Sequence, residues 1–165
     1  RIWRPRRWFH CYYESSMSST EQGEIHPEPT VESKPFWDGL RAHRLMFQRC
    51  ADCKKPRHYP RPMCSSCYSL RQEWFQASRL GHVHSWTVCH HAFHPRFTSA
   101  VPYVLVTADL TDGIRMVAPL VNATAGPLSL GSQVIVDYQF VDDALTVPKF
   151  RLTATPHANV EPHNR

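Results

Sequence analysis

Apolar and polar residues alternate along the second half of the chain, and a period of two predicts β-strands. In the stretch "SQVIVDYQFV", four side chains are predicted to share one face: Val134, Val136, Tyr138 and Phe140. Comparable apolar runs lie at residues 81–90, 102–110, 113–121 and 144–152. Together these runs predict a mainly β fold with five strands in this part of the chain.

Turn signals separate these strands and indicate how they connect. Asp112–Gly113 predicts a tight turn between the second and third strands, and Asp142–Asp143 predicts another between the fourth and fifth. The third and fourth strands are separated by the longer, turn-rich stretch "NATAGPLSLG". Five strands with the long break after the third are typical of an OB-fold barrel. Another five-stranded barrel or a sandwich would give the same pattern, so the pattern leaves those folds open.

A helical period precedes the strands. Pro35 suits the first turn of a helix, and Phe36, Trp37 and Leu40 then fall on one helical face. We therefore predict a short amphipathic helix at residues 35–43. Its apolar face has two interpretations, because it could pack on its own domain or Phe36 and Trp37 could anchor a partner protein. The runs "RLMFQRC" and "RQEWFQAS" that follow it predict two short strands.

Both ends of the chain lack the periodicity of a folded domain. Residues 1–33 are predicted to be a disordered leader, because residues 17–33 are rich in Ser, Glu and Pro and lack aromatic residues. We also hypothesise that the natural protein starts at Met17 and that residues 1–16 are upstream translated sequence. Residues 153–165 are predicted to be a flexible tail. The ordered part then divides into a helix with a ribbon, residues 34–78, and a barrel, residues 79–152.

Four of the six cysteines lie within eighteen residues, in the stretch "CADCKKPRHYPRPMCSSC". They form two C-x-x-C pairs: Cys50, Cys53, Cys64 and Cys67. A C-x-x-C turn holds two sulfurs at the separation that one tetrahedral ion needs, so two such turns complete a four-thiolate site suited to zinc. The flanking strands give the layout of a zinc ribbon. Iron in a rubredoxin-like site would have the same ligands, whereas the sequence lacks the βαβ context of a thioredoxin-type redox pair.

The ligand count indicates what the metal does. Catalytic zinc usually keeps one coordination position open for water or substrate, whereas here thiolates fill all four. We therefore predict one structural zinc ion. With no export signal in the sequence, we also expect a reducing cytoplasm, where clustered cysteines favour metal binding over disulfides. No apolar run approaches the ~20 residues of a membrane span.

Net charge bears on whether the protein binds nucleic acid. The formal charge is +5, but residues 1–16 carry four arginines and one glutamate, which leaves +2 for the remainder. Zinc bound by four thiolates would bring that remainder close to neutrality. Aromatic residues for base stacking are present, yet the barrel is a weak electrostatic funnel for a polyanion. A single-stranded nucleic-acid-binding protein is therefore the alternative that we keep, not the one that we favour.

Other chemical motifs are sparse. The sequence has no nucleophile elbow, Walker loop or dinucleotide fingerprint, and no paired acid and base, which indicates a chain that is not itself a catalyst. Histidines crowd one region, and His82 and His84 are spaced as a strand metal pair would be; structural histidines are the favoured interpretation. Cys89 lies within an apolar strand and is predicted to be a small core residue.

The order of these features resembles a known family. The helix "FWDGLRAHRL", the "YPRPMCSSC" join, "HPRF" before "VPY" and the closing "VPKFRL" are similar to the acyl-CoA-associated OB-fold family, whose members carry an N-terminal rubredoxin-like zinc ribbon. The resemblance covers roughly residues 34–152. The chain departs from the family at Arg79–Gly81, where a second glycine is expected, and in the histidine-rich "CHHAFH".

The resemblance implies a function. Family members look like non-catalytic subunits that dock onto thiolase-like enzymes, MaoC-type enoyl-CoA hydratases or aldolases of sterol side-chain breakdown, in hetero-oligomers that serve lipid metabolism. It also implies that the four clustered cysteines bind the metal and that acyl-CoA is a ligand. A coenzyme A ester needs cations for its phosphates and an apolar groove for its acyl group. Candidate contacts are Arg61, Arg115 and Lys149 for the phosphates, and Phe93 and Phe97 for the acyl group or the partner.

Overall fold

A computed structural model describes residues 26–121 and 128–153. The regular structure of these residues consists of one α-helix, one short 3-10 helix and two antiparallel sheets. Three segments lie outside the described residues: 1–25, 122–127 and 154–165. The expectations about the start at Met17, most of the leader, much of the turn-rich connection and the tail fall there. Near the end of the predicted leader, Thr30 and Ser33 form a hydrogen-bonded turn, in which the Thr30 N–H donates to Ser33 Oγ at 2.9 Å.

The helix α1 covers Lys34–Arg41, close to the predicted range. Pro35 lies in its first turn, where a missing backbone N–H costs nothing. The helix packs tightly against the chain that follows, because a Cβ on Gly39 would lie 2.5 Å from Met46 Cγ and 2.7 Å from the Arg44 carbonyl oxygen. Only a residue without a side chain fits this approach.

A three-stranded sheet follows the helix, in the order β2-β1-β3. Its strands are β1 Met46–Cys50, β2 Pro56–Arg57 and β3 Gln72–Gln76. The two runs that the sequence predicted on either side of the cysteine pairs correspond to β1 and β3. The sequence did not predict β2, because two residues beginning with a proline carry no periodic signal.

The second sheet contains the five strands that the sequence predicted. They are β4 Leu80–Cys89, β5 Tyr103–Leu110, β6 Arg115–Pro119, β7 Gln133–Asp142 and β8 Leu145–Leu152. Their order is β6-β5-β4-β7-β8, and a parallel bridge between Leu120 and Phe150 joins the two ends into a barrel. The Val121 N–H donates to the Phe150 carbonyl at 2.7 Å across this join. The predicted mainly β architecture, zinc-ribbon region followed by OB-fold barrel, is confirmed.

Both predicted tight turns are present. Gly113 has φ +75°, a left-handed conformation that suits glycine, and its N–H donates to the Leu110 carbonyl at 3.0 Å. At the other turn the Asp142 carboxylate accepts the N–H groups of Ala144 and Leu145, at 2.8 and 2.9 Å. The turn between β5 and β6 faces the ribbon.

One hydrophobic core extends through the ribbon and the barrel. Helix and ribbon contribute Phe36, Leu40, Leu45 and Phe47, and the barrel contributes Val83, Val106, Met116, Val134, Val136 and Phe150. Helix α1 packs against both β1 and β8 and thereby connects the two regions. The ribbon and the barrel therefore share one core.

One predicted core position, Cys89, is not buried, and the face predicted for β7 is buried only over its first half. Phe140 is 63% exposed, although Val134 and Val136 on the same predicted face are fully buried. The reason is that β4 pairs only with the first residues of β7, so the far end of β7 extends past the barrel with β8 alone. Cys89 is only half-buried, at the end of β4 opposite Tyr103.

No helix in the described ranges is long and apolar enough to cross a membrane.

Candidate metal centre and the adjoining cavity

The four clustered cysteines converge on one point. Their sulfur atoms lie within 4.8 Å of one another, with Cys50 Sγ 3.5 Å from Cys67 Sγ and Cys53 Sγ 3.6 Å from Cys64 Sγ. A disulfide would bring two sulfurs to about 2.05 Å, so none of these pairs is bonded. A tetrahedral zinc ion with Zn–S bonds of about 2.3 Å separates its ligand sulfurs by about 3.8 Å. The observed separations fit that ion.

The two C-x-x-C turns share one backbone design. In the first, the Cys50 N–H donates to the Lys55 carbonyl at 3.0 Å and the Lys54 N–H donates to the Cys50 carbonyl at 3.1 Å. In the second, the Cys64 N–H donates to the Ser69 carbonyl at 2.9 Å and the Tyr68 N–H donates to the Cys64 carbonyl at 3.0 Å. Lys54 and Tyr68 both have left-handed φ values, 60° and 59°. Each turn therefore places its two sulfurs by the same local hydrogen bonds.

The acidity of the thiols also fits a bound cation. The Ser66 N–H, 3.5 Å from Cys64 Sγ, is the main reason that the pKa of the Cys64 thiol lies at about 6. The Ser69 backbone lowers the pKa of Cys67, but neighbouring thiols beginning with Cys50 outweigh it and raise that pKa to about 11. Neighbouring thiolates repel one another, so the four thiols do not all deprotonate in the absence of a cation. A divalent ion at their centre offsets this repulsion, and the set of four sulfur ligands therefore suits zinc.

Histidines do not form a second metal cluster in the described part of the chain, where the four cysteines are the one group that meets the geometry. His84 instead joins an ion-pair network on the barrel, with its Nδ1 3.0 Å from Arg115 Nη2 and 3.2 Å from Asp109 Oδ2. Arg115 Nε donates to Asp109 at 2.6 Å and is the main cause of the lowered pKa of that carboxyl.

A cavity of about 300 Å³ adjoins the metal centre, between the ribbon and the turn that joins β5 to β6. The ribbon lines it with Lys55, Pro56, Arg57, His58, Tyr59, Arg61, Met63, Cys64 and Ser65, and the barrel with Gly113, Ile114 and Arg115. The cavity exists because the turn approaches the ribbon closely; a Cβ on Gly113 would lie 4.0 Å from Pro56 Cγ. Four of its lining residues are basic and none is acidic.

The fully buried side chain of Gln48 organises one wall of this cavity. Its Oε1 accepts from Arg57 Nε at 2.5 Å and from the Arg61 backbone N–H at 2.9 Å, while its Nε2 donates to Gln72 Oε1. The terminal nitrogens of Arg57, Nη1 and Nη2, are buried and have no hydrogen-bond partner among the described residues. Neither Gln48 nor Arg57 was singled out from the sequence, because no local motif marks a hydrogen bond between two strands.

The structure brings some of the predicted ligand contacts together and separates others. Arg61 and Arg115 line the cavity beside the metal centre. Lys149 lies apart from them, in a second cavity of about 380 Å³ that Tyr138 and Phe140 also line. Phe93 is 78% exposed in the loop after β4, and Phe97 is exposed in the 3-10 helix Pro95–Phe97, with its ring 6.0 Å from that of Tyr103.

The two interpretations of the helix face can be compared with the packing. Phe36 is buried in the core, with its ring 6.1 Å from that of Phe47. Trp37 is half-buried, with its ring 5.3 Å from that of Phe36. Packing on its own domain therefore accounts for Phe36, whose side chain is not available to a partner, and only Trp37 retains accessible surface.

Comparison with protein families gives two matches in chain order. The rubredoxin-like zinc ribbon domain of ChsH2 matches residues 37–71, and the C-terminal OB-fold domain of ChsH2 matches residues 74–139. The matched segments coincide with the ribbon and with most of the barrel.

Two curated proteins are similar to this chain. It is 37% identical over 139 residues to the probable enoyl-CoA hydratase alpha subunit of Thermomonospora curvata, covering 80% of this chain and 43% of that protein. It is 32% identical over 114 residues to the 3-oxo-4,17-pregnadiene-20-carboxyl-CoA hydratase alpha subunit of Mycobacterium tuberculosis, covering 69% and 36%. The chain thus spans less than half the length of either relative.

Two solved structures are also similar. A chain of the Ltp2-ChsH2(DUF35) aldolase is 35% identical, with a TM-score of 0.69, and the match covers 77% of this chain and 98% of that one. A DUF35-family protein of unknown function from Sulfolobus solfataricus is 12% identical, with a TM-score of 0.52 and coverage of 76% and 87%. The second likeness concerns the fold alone.

Proposed function

Because the chain belongs to the ChsH2 family, in which a rubredoxin-like zinc ribbon is combined with an OB-fold domain, we propose that it is a zinc-stabilised accessory subunit of an enzyme that acts on coenzyme A esters. Its partner would be an aldolase or a MaoC-type hydratase subunit, or a thiolase-like enzyme, in lipid or sterol side-chain metabolism. The observation that carries this proposal is the 35% identity to a chain of the Ltp2-ChsH2(DUF35) aldolase, over 98% of that chain.

The chemistry of the described residues supports a non-catalytic role. Four thiolates would leave zinc no open position for a substrate. Two carboxylates on the barrel strands are engaged in ion pairs with arginines, Asp109 with Arg115 at 2.6 Å and Asp137 with Arg151 at 3.2 Å. A general base needs a carboxylate free to accept a proton at the reacting atom, and these two are held by guanidinium groups.

Exposed apolar residues of the ribbon support docking. Tyr68 and Leu70 follow the second cysteine pair and are 73% and 71% exposed, and Tyr59 and Met63 are also exposed between the pairs. Large apolar side chains grouped on a small module are typical of a protein interface. We propose that this ribbon surface contacts the partner enzyme, with Trp37 of α1 as a further contact. Arg61, Arg115, Lys149, Phe93 and Phe97 remain our proposed contacts for the coenzyme A ester or the partner.

Co-purification from the native host tests the proposal. The tagged chain should recover a coenzyme A-ester hydratase, aldolase or thiolase-like subunit, and the complex should turn over an acyl-CoA that the chain alone does not. Recovery of RNA or DNA without such an enzyme would support the nucleic-acid alternative instead. Turnover by the isolated chain would contradict the accessory role.

A matched pair of variants tests the docking surface. Leu70→Glu places a charge on the ribbon surface and should reduce partner recovery at least about tenfold, because a buried unpaired charge opposes association. Val31→Glu makes the same change at a residue that is 89% exposed ahead of the helix, and it should leave recovery unchanged. Equal recovery with both variants would exclude Leu70 from the interface.

A further inference from the structure

The cavity between the ribbon and the β5–β6 turn of the barrel has an unusual charge distribution. Lys55, Arg57, Arg61 and Arg115 line it, and no carboxylate does. Only Arg115 has a carboxylate partner among the described residues, since Asp109 binds it with two oxygens at 2.6 and 3.0 Å. The charges of the other three are therefore left without an opposing ion in this part of the structure.

Arg57 is the most informative of these cations. Gln48 holds its Nε, and Gln48 is itself fixed by Gln72 and by the Arg61 backbone, so the position of the guanidinium group is set by a buried network. Its terminal nitrogens are nevertheless buried without an acceptor. Leaving N–H donors of a buried charged group unsatisfied costs free energy. The described residues hold the Arg57 guanidinium group in place but supply no acceptor to its terminal nitrogens, so a bound ligand would have to supply one.

Lys55 and Arg61 flank this group and are accessible. Both side chains are exposed, and Lys55 Nζ donates to Ser66 Oγ at 2.8 Å, a neutral partner that leaves its charge available. Guanidinium groups recognise phosphate through parallel hydrogen bonds, and an ammonium group adds a point charge. The cavity volume of about 300 Å³ is at the lower end of small-molecule sites. It suits a phosphate or diphosphate group and is small for a complete coenzyme A ester.

We propose that this cavity binds a phosphate-type oxyanion, with Arg57, Arg61 and Lys55 as the binding cations. Entry of the anion supplies acceptors to Arg57 after a small shift of its side chain, and Arg115 closes the barrel side of the site. The anion could be free diphosphate or the phosphate end of a coenzyme A ester, and the second identification rests on the proposed function.

Calorimetric titration of the zinc-loaded full chain with sodium pyrophosphate tests the site. The wild-type chain should bind at about 50 mM salt and more weakly at about 300 mM, because screening weakens exposed charge interactions. Arg61→Gln should weaken binding at least about tenfold. Arg44→Gln removes the same charge from an exposed position outside the cavity and should change the dissociation constant less than about twofold. Absence of binding by the wild-type chain, or an equal loss with Arg44→Gln, would overturn the proposal.

Arg57→Met separates a binding role from a structural one. If Arg57 is held for an external anion, this variant should lose pyrophosphate binding while its midpoint of thermal unfolding, measured without the anion, stays equal or rises. That expectation follows because burying the donors of a charged group without acceptors costs free energy, and an apolar side chain of similar shape removes that cost. A lower midpoint for Arg57→Met, together with unchanged pyrophosphate binding by Arg61→Gln, would show that Arg57 and Arg61 have only a structural role.

Competition identifies the source of the anion. Coenzyme A that displaces pyrophosphate, with the same sensitivity to Arg61→Gln, would identify its phosphate end as the natural occupant. Pyrophosphate binding that coenzyme A does not displace would keep the anion site and identify a free oxyanion. These titrations need no partner enzyme, so the site can fail while partner recovery succeeds, or succeed while partner recovery fails.

Discussion

His58 illustrates how one buried residue connects packing with pH. Its ring lies against three aromatic residues, with centroids 5.3 Å from Phe36, 5.1 Å from Phe47 and 4.2 Å from Tyr59. Its Nδ1 is buried without a partner in the described structure. Burial disfavours the charged imidazolium and lowers the pKa of His58 to about 4. The folded protein therefore holds His58 neutral well above pH 4.

This pKa predicts a loss of stability in mild acid. The unfolded chain restores the ordinary pKa near 6.5, so below that pH the unfolded state binds a proton that the folded state does not. The contribution of His58 is zero well above pH 6.5 and becomes unfavourable as the pH falls towards 4. At pH 5.5 it should lower the free energy of unfolding by about 1.4 kcal/mol relative to pH 7.5.

Denaturant unfolding of wild type and His58→Phe at both pH values measures this contribution. Both proteins keep the same cysteines, so acid effects on the metal centre cancel in the comparison. The wild type should lose about 1.4 kcal/mol more than His58→Phe between pH 7.5 and 5.5. His91→Phe, which replaces an exposed histidine after β4, should behave as wild type does. Parallel pH profiles for wild type and His58→Phe would refute the assignment.

At the scale of elements, the ribbon depends on its metal more than on its strands. Its sheet consists of two five-residue strands and one of two residues, which is too little pairing to be stable alone. The two C-x-x-C turns are held by four backbone hydrogen bonds, and a metal ion bound by their four sulfurs would join one turn to the other. In small zinc domains the metal contributes about 10–16 kcal/mol to folding. The ribbon should therefore lose its structure without zinc.

Cys64→Ser tests this dependence. Purified wild-type chain should contain one zinc ion, and Cys64→Ser should lose it and show a free energy of unfolding lower by several kcal/mol, because Cys64 is a buried ligand in our assignment. The matched control is Cys89→Ser, a half-buried cysteine outside the cluster, which should retain the zinc. Metal analysis and thermal unfolding measure both effects. Retention of metal and stability by Cys64→Ser would exclude Cys64 as a ligand.

The helix and the strands of five residues or more were predictable from the sequence, and the two-residue strand β2 was not. A period of two over eight to ten residues located β4, β5, β7 and β8, and cysteine spacing indicated the metal cluster. Strand β2 has no period to detect. Alternation placed Phe140 on one face with Val134 and Val136, but its exposure depends on where the neighbouring strand ends, which alternation does not show. The role of Arg57 depends on the approach of the β5–β6 turn to the ribbon, which is a tertiary contact that no local pattern encodes.

At the scale of the whole molecule, the ribbon and the barrel share one core, and α1 connects them. Leu40 on α1 is fully buried, and the helix packs against β1 of the ribbon and β8 of the barrel. Mutation of this residue should therefore weaken both regions together. The cavity proposed to bind an oxyanion lies at the same junction and is lined by both regions. It therefore keeps its shape only while the ribbon and the barrel are both folded.

Leu40→Ala tests that coupling. Loss of a buried leucine side chain costs about 2–5 kcal/mol, through lost burial and the cavity left behind. If the core is one cooperative unit, hydrogen exchange should report the same loss in protection for amides of β1 and of β7, although the helix packs mainly against β1 and β8. Leu70→Ala, which truncates an exposed leucine of the ribbon, should change neither by more than about 0.5 kcal/mol. A loss confined to β1 would mean that the ribbon opens independently of the barrel, and the junction cavity would then be present for only part of the time.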